Sequence, residues 1–322
     1  MKLWILYSSK YEFENTQARE LMAEAASKNQ IDFEVLYYSY FSVVINDKNT
    51  ELYYKDKLIT EYPAVVLSRG YNIELLKFLD SKGVTIINGA LGTERVLNKY
   101  ETHLALVGEK IIQPKTISPR KYIFEDIKSI LGLPFVMKDN FGSQGEGVFL
   151  IKSKKRFQNA LEANPNSKFI FQEYVESSKG SDIRVYVVGN KVVGAINRKA
   201  KGDDFRANIS LGGSSNPFKV DRKLRKQTLL VAKKLGLEVC GIDFLFGEKG
   251  KYIFCEANGN AGYTGFVKFG IIMQDIIIKY IKDKYLNKKQ QKKNEKAFKV
   301  IERKMPIVIS NNCAQKPFSK KA

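Results

Sequence analysis

Short apolar runs alternate with longer stretches of helical periodicity over the first quarter of the chain. The apolar runs are LWILY (3–7), FEVLYY (33–38) and AVVLS (64–68), and the helical stretches are 14–28 and 72–82. Runs of this length suit buried strands, and strands that alternate with helices are typical of a parallel α/β unit. We therefore predict a parallel sheet that ends near IINGA (86–90).

A helix is predicted directly after this unit. Thr93 with Glu94 resembles a helix start, and apolar residues recur at Val96 and Leu104. We therefore predict one capped helix from Thr93 to about Gly108. Two prolines then interrupt the pattern.

The pattern changes after Pro134, where strand-like runs follow one another and are separated by glycine turns. The runs are LPFVMK (133–138), GVFLI (147–151), KFIFQEYV (168–175), IRVYVV (183–188) and KVVGAI (191–196). Gly189-Asn190 inside VVGNKVVG predicts a hairpin whose turn residues take positive φ. The remaining predicted elements are a helix at 221–236, strands at 239–246 and 252–260, and a final helix at 265–286.

Composition is that of a globular chain. The 322 residues suit about two domains, and the fractions of apolar (44%) and charged (27%) residues are ordinary. No apolar run approaches the roughly 20 residues of a membrane span, and the opening KLWILYSS lacks the features of a signal peptide. Three cysteines without paired spacing and a single histidine do not suit a zinc cluster or a histidine-activated nucleophile, and they favour a cytoplasmic protein.

The net charge of +20 is unevenly distributed. Residues 287–322 carry eleven lysines and arginines against two glutamates, a net charge of +9. This segment fits either an arm that binds nucleic acid or another polyanion, or a solvated, weakly ordered extension. Because only Phe298 and Phe318 are available there to stack on bases, the second interpretation is favoured.

Asp243, Glu256 and Asn258 form a candidate metal site on two consecutive strands. Asp243 is predicted to end one strand, and Glu256 and Asn258 are two apart on the next, so their side chains project from one face. Buried carboxylates a few ångströms apart repel by roughly 4 kcal/mol at an effective dielectric of 20, a cost that a hard cation removes. Magnesium suits these oxygen ligands better than calcium or zinc, and the alternative is that the acids have separate polar roles.

A glycine-rich stretch, FGSQGEGVFLI, lies between two predicted strands. A dinucleotide fingerprint or a P-loop would open a helix, so this stretch is neither. It fits either an ordinary turn or a mobile hairpin whose backbone amides close over phosphates, with Lys138 just before it as a point charge on them.

Two further segments carry weaker signals. FIFQEYV places Gln172, Glu173 and Tyr174 at a strand end, where backbone groups and a carboxylate are able to pair with an adenine edge. INRKAKGDDFRAN contains Arg198 and Arg206 with lysines between them. It suits either an exposed basic loop or a clamp on phosphoryl oxygens.

The order of these motifs resembles the ATP-grasp superfamily, and within it the RimK-type carboxylate–amine ligases. The motifs are Lys138, GSQGEGV, QEYV, GSDIRVYVVG, GDDFRAN, GIDF and EANGN, with the densest match from Gln172 to Gly213. The resemblance covers about residues 1–286 and implies an α/β fold with α+β catalytic lobes. The implied domains are a Rossmann-like pre-ATP-grasp domain (1–92), a central ATP-grasp lobe with a glycine-rich lid (93–175), a C-terminal lobe with the magnesium site (176–286) and the basic tail (287–322).

The resemblance also implies roles for individual residues. The residues implied to bind ATP are Lys99, Lys138, Gly142, Ser143, Gln144, Gly145, Gly147, Glu173, Tyr174, Val175, Asp182, Arg206, Ala207 and Asn208. Among these, the lysines hold phosphates, Glu173 to Val175 form the adenine hinge and Asp182 lies on the ribose side. The implied catalytic residues, near the reacting phosphate, are Arg198 and Arg206. The residues implied to bind Mg²⁺, or Mn²⁺ in its place, are Asp243, Glu256 and Asn258.

Two departures from the family pattern lie near the expected acceptor. Leu211 stands where the family has an arginine before paired glycines, and Asn260-Ala261-Gly262 replaces a Ser-Pro-Gly turn after the metal-binding asparagine. These departures leave the identity of the substrate open. Arg69 aligns with an arginine of the first domain and is a candidate contact for a substrate carboxylate.

The activity implied by the resemblance is an ADP-forming ligase reaction. ATP phosphorylates a carboxylate, and an amine attacks the acyl phosphate, so that glutamate or a similar amino acid is joined to a protein, peptide or small molecule. A second hypothesis is a nucleotide-responsive binding protein whose ligase site has lapsed and whose basic tail docks on nucleic acid or ribosomes. No membrane partner is expected, and a homo-oligomer is compatible with the sequence. Since no histidine is near the site along the chain, deprotonation of the amine is assigned to a carboxylate or to solvent.

Overall fold

The computed structural model describes residues 1–8, 12, 16–143, 145–208, 212–267 and 269–287. Helices and strands are both abundant, which confirms the predicted mixed α/β fold. Among these residues, no helix combines the length and the apolarity that crossing a bilayer requires.

The N-terminal part contains two small sheets. Its elements are β1 (Lys2–Tyr7), α1 (Thr16–Lys28), β2 (Asp32–Tyr37), β3 (Phe41–Ile45), β4 (Thr50–Tyr54), β5 (Lys57–Leu58), β6 (Val65–Arg69), α2 (Ile73–Ser81) and β7 (Thr85–Ile86). A parallel sheet of order β2-β1-β6-β7 has strands at all three predicted apolar runs. The antiparallel sheet β3-β4-β5 is an insertion that the periodicity did not reveal, and Phe41 stacks on Tyr54 across it. A Rossmann-like topology stays a prediction.

The single helix predicted after the parallel sheet is two helices in the structure. They are α3 (Ala90–Leu97) and α4 (Lys99–Leu104). Between them, Asn98 has an extended backbone, and its side-chain oxygen accepts a hydrogen bond from the backbone N–H of Glu101 at 3.1 Å. The expected cap at Thr93 and the continuous helix to Gly108 were therefore wrong, because Asn98 caps a second helix. This break makes Lys99 the first residue of α4.

A four-stranded antiparallel sheet forms the central part. Its elements are β8 (Thr116–Ile117), α5 (Phe124–Leu131), β9 (Phe135–Asp139), β10 (Val148–Ile151), α6 (Lys154–Glu162) and β11 (Phe169–Glu173), and the strand order is β10-β9-β11-β8. Phe135 and Phe171 face α5 and α6 and pack in an aromatic core. Because side chains alternate along a strand, Val136, Lys138 and Gln172 lie on the opposite face.

A five-stranded antiparallel sheet forms the C-terminal part. Its elements are β12 (Ser181–Val188), β13 (Lys191–Lys199), β14 (Ser214–Pro217), α7 (Arg222–Leu235), β15 (Val239–Phe246), β16 (Tyr252–Asn258), α8 (Thr264–Val267) and α9 (Met273–Ile281), with strand order β14-β13-β12-β15-β16. The expected hairpin at Gly189 is present, although positive φ is found at Gly189 and not at Asn190. Asp243 lies in the middle of β15, so its placement at a strand end was wrong.

The last predicted helix, 265–286, is also interrupted. α8 ends at Val267, Gly270 takes positive φ, α9 begins at Met273, and a π-helical turn covers Lys282–Leu286. Hydrophobic residues of β1 and of α9, such as Ile5 and Ile277, belong to one buried cluster. The first and last parts of the described chain therefore share a core, and the proposed domain boundaries stay a prediction.

Candidate active site

A cleft of about 850 Å³ lies between the central and the C-terminal sheets. The predicted site residues that line it are Lys99, Lys138, Gly142, Ser143, Gly145, Glu173, Tyr174, Val175, Asp182, Arg198, Arg206, Ala207, Asn208, Asp243 and Glu256. Asn258 lines an adjoining depression together with Glu256. Gly147 does not line the cleft, and Gln144 lies outside the described residues. The fold therefore brings together residues that are up to 157 positions apart, from Lys99 to Glu256.

Two lysines project into the cleft from the central part. Lys138 lies on β9, and its Nζ is 3.7 Å from the sulfur of Cys255 on β16. Lys99 begins α4 and donates a hydrogen bond to the carbonyl oxygen of Gly142. Burial lowers the pKa of Lys99. Among the described residues neither lysine forms a salt bridge, so their charge is available to an anionic ligand.

The turn between β9 and β10 is the predicted lid. Gly145 (φ +82) and Gly147 (φ +69) both adopt the left-handed conformation. A Cβ added at Gly147 would lie 2.8 Å from Cβ of Asp139, so this position also lacks space for a side chain. Gly147 thus permits the backbone conformation of the turn without lining the cleft. Gly142, Ser143 and Gly145 line the cleft.

The loop after β13 contacts this lid. Arg206 donates a hydrogen bond to the carbonyl oxygen of Gly145 at 3.0 Å and pairs with both carboxylate oxygens of Asp204. The side chain of Asn208 lies against Gly145 as well, 3.0 Å from where a Cβ would be. Lid and loop therefore meet over the cleft, and the predicted basic clamp is tethered to the lid.

The predicted hinge follows β11. The backbone N–H of Glu173 donates to the carbonyl oxygen of Lys115 at 2.9 Å, and the Glu173 carboxylate accepts from the N–H of Lys115 at 3.0 Å. The ring of Tyr174 meets that of Phe205 edge-on at 6.4 Å. These contacts fix one end of the cleft between the two sheets.

Four charged side chains alternate in sign across β13, β12 and β15, and we call them the charged row: Arg198, Asp182, Arg184 and Asp243. Arg198 makes a bidentate pair with Asp182 at 2.6 and 2.7 Å and also donates to Asp243 at 2.7 Å. Arg184 makes a bidentate pair with Asp243 at 2.7 and 2.6 Å. Direct cross-strand pairing aligns Asp182 with Arg198 and Arg184 with Asp243. The register of the sheet therefore builds the row.

The row fixes the charge state of its acids. Burial alone would raise the pKa of Asp243, but Arg184 and Arg198 outweigh it and hold that pKa well below the usual range. Burial raises the pKa of Asp182, and its pairing with Arg198 offsets only part of this effect. Asp243 is therefore a permanent anion at the bottom of the cleft.

Asp243, Glu256 and Asn258 lie together as expected from their strands. Asp243 is directly opposite Glu256 in the β15–β16 register, and the amide of Asn258 donates to the Glu256 carboxylate at 3.2 Å. Arg184 lies 3.7 Å from the same carboxylate. Within the described ranges, no three His, Cys, Asp or Glu side chains are arranged to hold a metal. Two carboxylates with one amide oxygen, completed by water and phosphate oxygens, nonetheless fit the ligand preference of magnesium.

Sequence reasoning missed Arg184 and the position of His103. Arg184 follows Asp182 by two residues on β12, so strand alternation alone places both on one face. His103 is buried on α4 and bonded to Gln172 and Gln113, both at 2.8 Å. His103 therefore lies close to the cleft in space, and the assignment of amine deprotonation to a carboxylate or to solvent stays a prediction. Burial lowers the pKa of His103 to about 4, and this sealed, neutral ring is not placed to take a proton from an amine in the cleft.

The altered turn after Asn258 contacts the N-terminal part. Arg69 donates to the carbonyl oxygen of Ala261 at 3.2 Å, and its guanidinium lies 4.5 Å from the ring centre of Tyr263. Arg69 lies in a small pocket beside Tyr186 and Tyr263 and does not line the cleft, and its role toward a substrate stays a prediction. Leu211, the other departure, lies outside the described residues.

Comparison with known proteins agrees with this geometry. The family model of the RimK-like ATP-grasp domain matches residues 96–281. Beta-citrylglutamate synthase B of Homo sapiens is 30% identical over 284 residues, which are 83% of this chain and 73% of the relative. A probable alpha-L-glutamate ligase of Vibrio vulnificus is 29% identical over 252 residues, 76% of this chain and 83% of the relative.

A solved structure shows the same fold. The ATP-grasp ligase PsnB, complexed with its minimal precursor, Mg and ADP, aligns with a TM-score of 0.64 at 16% identity, over 86% of this chain and 95% of that one. Together, the family match across more than half of the chain and the relative at 30% identity establish that this protein belongs to the RimK-like ATP-grasp family.

Proposed function

We propose that the protein is an ATP- and magnesium-dependent ligase that joins the carboxylate of one substrate to the amine of another through an acyl phosphate. The observation that carries this proposal is the cleft itself, in which Lys99 and Lys138, neither in a salt bridge among the described residues, face an acidic site at Asp243 and Glu256 that is paired with Arg184. The names of the relatives, a citrylglutamate synthase and a glutamate ligase, support glutamate or a similar amino acid as one substrate.

The chemistry divides into two transfers. The γ-phosphoryl group leaves ATP for a carboxylate oxygen, which gives ADP and an acyl phosphate. The amine nitrogen then attacks the carbonyl carbon, phosphate leaves with the electron pair of its C–O bond, and a proton passes from the amine to solvent or a carboxylate. The protein takes little part in the bond changes themselves, so the rate acceleration comes from positioning and charge neutralisation.

Each wall of the cleft has a part in this scheme. Lys99 and Lys138 bind phosphate oxygens, and Arg206 neutralises the charge that develops on the transferred group. The lid, held to Arg206 through Gly145, excludes water from the hydrolysable acyl phosphate. Magnesium held by Asp243, Glu256 and Asn258, or manganese in its place, supplies further charge neutralisation on the phosphates when bound.

Three finer points belong to the same proposal. We assign residues 93–175 and 176–286 as the two catalytic lobes and residues 1–92 as a separate N-terminal domain. The acceptor is a protein, peptide or small molecule that carries the amine or the carboxylate. Cys240 and Cys255 form no disulfide within the described ranges, which suits a reducing cytoplasm.

The proposal is tested by ADP formation from the full chain with pairs of carboxylates and amines, glutamate first, with product masses recorded. Turnover should require both substrates and a divalent metal. Glu256→Ala should abolish it and also weaken Mn²⁺ binding measured by electron paramagnetic resonance. Glu248→Ala, an exposed acid in the turn between β15 and β16, is the matched control and should keep both. Acceptor-independent turnover that survives Glu256→Ala contradicts the proposal, and nucleotide binding without turnover on any pair favours the lapsed binding protein.

A further inference from the structure

The side chain of Asn88 joins the two strands that carry the proposed metal ligands. Asn88 lies in the turn between β7 and α3, in the N-terminal part of the chain, and is 6% exposed. Its Oδ1 accepts hydrogen bonds from the backbone N–H groups of Glu238 and Val239, both at 2.8 Å. Its Nδ2 donates to the carbonyl oxygens of Val239 at 2.9 Å and of Gly259 at 3.0 Å. Because the partners are backbone groups of fixed character, only this orientation of the amide satisfies all of them.

The amide of Asn88 takes the place of a strand residue where β15 and β16 separate. Gly241 and Asn258 are the last residues that pair directly between these strands. One step further, Val239 is aligned with Val188 of β12, but β16 ends at Asn258 before it reaches Val239. Asn88 bonds both the N–H and the C=O of Val239, as a residue of a neighbouring strand would. Its amide thus satisfies two buried backbone groups that would be costly to leave unpaired.

The two points that Asn88 joins lie close to the metal ligands along the chain. Gly259 directly follows Asn258, and Asp243 lies four residues beyond Val239 on the same strand. The bond to Gly259 therefore restrains the backbone next to one ligand, while the bonds to Val239 restrain the strand of another. Magnesium demands ligand oxygens at about 2.1 Å in near-ideal octahedral geometry, so a small shift of β16 relative to β15 would disturb its coordination.

We propose that Asn88 is a positioning residue for the metal site, and that it holds Asp243 and Asn258 in place by bonding β15 and Gly259 with one side chain. Asn88 lines neither the cleft nor the adjoining depression, so it acts through the strands and not by contact with metal or substrate. The N-terminal part of the chain thereby contributes to metal binding from outside the cleft. This inference rests on the proposed ATP- and magnesium-dependent function.

The backbone of Asn88 allows two informative substitutions. Its φ of 72° is left-handed, a conformation that asparagine, aspartate and glycine adopt more readily than other residues. Asn88→Gly removes the side chain and keeps this backbone conformation. Asn88→Asp keeps the acceptor for the N–H groups of Glu238 and Val239, but it replaces the donor to Gly259 with an oxygen that faces two carbonyl oxygens.

The test measures the affinity of the full chain for Mn²⁺ by electron paramagnetic resonance, with ADP present. Both variants of Asn88 should bind Mn²⁺ about tenfold to a hundredfold more weakly, as is usual when a group that orients metal ligands is removed. The affinity for ADP without metal, measured by calorimetry, should stay unchanged because Asn88 does not line the cleft. A merely structural defect would weaken both affinities together. If Asn88→Gly does not fold, Asn88→Asp decides, because it keeps two of the bonds to β15.

Leu52→Ala is the control for lost stability. Leu52 is fully buried on β4, and among the described residues its hydrophobic cluster contains none from β15 or β16. This variant should unfold more easily and keep its Mn²⁺ affinity. Unchanged Mn²⁺ affinity in Asn88→Asp overturns the inference, as does an equal loss in Leu52→Ala or an equal loss of metal-free ADP affinity in the Asn88 variants. If the unmodified protein binds ADP but no Mn²⁺, the proposed metal site itself is wrong, and Asn88 has nothing to position.

Discussion

The two walls of the cleft carry charge in opposite ways. On the C-terminal sheet, the charged row pairs every guanidinium with a carboxylate before any ligand arrives, with Arg184, Arg198 and Asp243 joined at 2.6 to 2.7 Å. On the central wall, Lys138 of β9 contacts the thiol of Cys255, and Lys99 of α4 contacts the carbonyl oxygen of Gly142; neither has a carboxylate partner among the described residues. On one wall the guanidinium groups are already paired, and the other wall lacks anions for its lysines among the described residues.

This difference separates what stabilises the fold from what binds the ligand. Buried charges that neutralise one another are costly to break singly, because the remaining partner stays buried without compensation. Half-buried lysines without carboxylate partners lower the stability of the chain, and bound phosphates restore it. We therefore expect substitutions on the two walls to move stability and affinity in different proportions.

The largest expected effect comes from opening the charged row. Asp243→Asn keeps the shape of the side chain but leaves Arg184 and Arg198 facing a neutral amide. We expect the free energy of unfolding, measured with urea, to fall by about 3–5 kcal/mol, the usual result of removing one partner of a buried ion pair. Lost metal binding should accompany this change.

Asp204→Asn is the matched control, because Asp204 also pairs with an arginine through both oxygens but lies in a partly exposed loop. Its side chain is 30% exposed and that of Arg206 is 28% exposed. An exposed ion pair contributes about 1 kcal/mol or less, so this variant should unfold nearly as the unmodified protein does. Similar losses of unfolding free energy in the two variants would show that the buried charged row stabilises the protein no more than an exposed ion pair does.

On the central wall, we expect a substitution to change the affinity for ATP. Lys138→Met removes an ammonium group that has no carboxylate partner among the described residues, while keeping a side chain of similar length on β9. We expect ATP affinity to fall by about a hundredfold, near the upper range for a hydrogen bond to a charged group, with the free energy of unfolding unchanged or higher. Calorimetric titration and urea unfolding of the same sample give both values. A loss of stability as large as that in Asp243→Asn would remove the distinction between the walls.

The sequence predicted the elements of both walls and the lysine of the central wall, but it did not predict the ion pairs of the charged row. Lys138 and the pair Glu256 and Asn258 were assigned because strand alternation and motif order place them on a cleft face. The charged row was not foreseen, since Asp182 and Arg198 bond through the register of β12 with β13, and register is a long-range property. Arg198 was placed near the reacting phosphate by the family resemblance, and that role stays a prediction; its guanidinium is buried between two carboxylates and lines the cleft.

The helix boundaries that were predicted wrongly have a local cause. Asn98 and Gly270 interrupt stretches whose hydrophobic periodicity continues across them, so periodicity predicted one helix in each place. A side chain such as that of Asn98 caps a new helix only if the first turn of that helix packs against the rest of the protein. Such packing depends on tertiary contacts. No role was assigned to His103 because its contact with Gln172 joins residues 69 positions apart along the chain and forms only in the fold.

The smallest expected effect is the dependence of the unfolding free energy on pH that His103 causes. Its pKa is about 4 in the folded chain and about 6.5 when unfolded, so between these values the unfolded chain binds more protons. The stability that the neutral ring contributes is fully present above pH 6.5 and is lost as pH falls toward 4. At pH 5 the loss amounts to about 2 kcal/mol relative to pH 7. His103→Gln cannot titrate, so its unfolding free energy should change by about 2 kcal/mol less between pH 7 and pH 5 than that of the unmodified protein.

Because His103 is the only histidine of the chain, its ring protons give one set of NMR signals that report the same pKa directly. Burial is the main cause of the low pKa, and the positive charge of Lys138 is the next. Lys138→Met should therefore raise the pKa of His103, whereas Lys234→Met, on α7 and paired with Glu109, should leave it unchanged. A histidine signal that titrates near 6.5 in the unmodified protein would contradict the sealed, neutral ring. A low value that does not respond to Lys138→Met would show that the charge of Lys138 has no part in setting it.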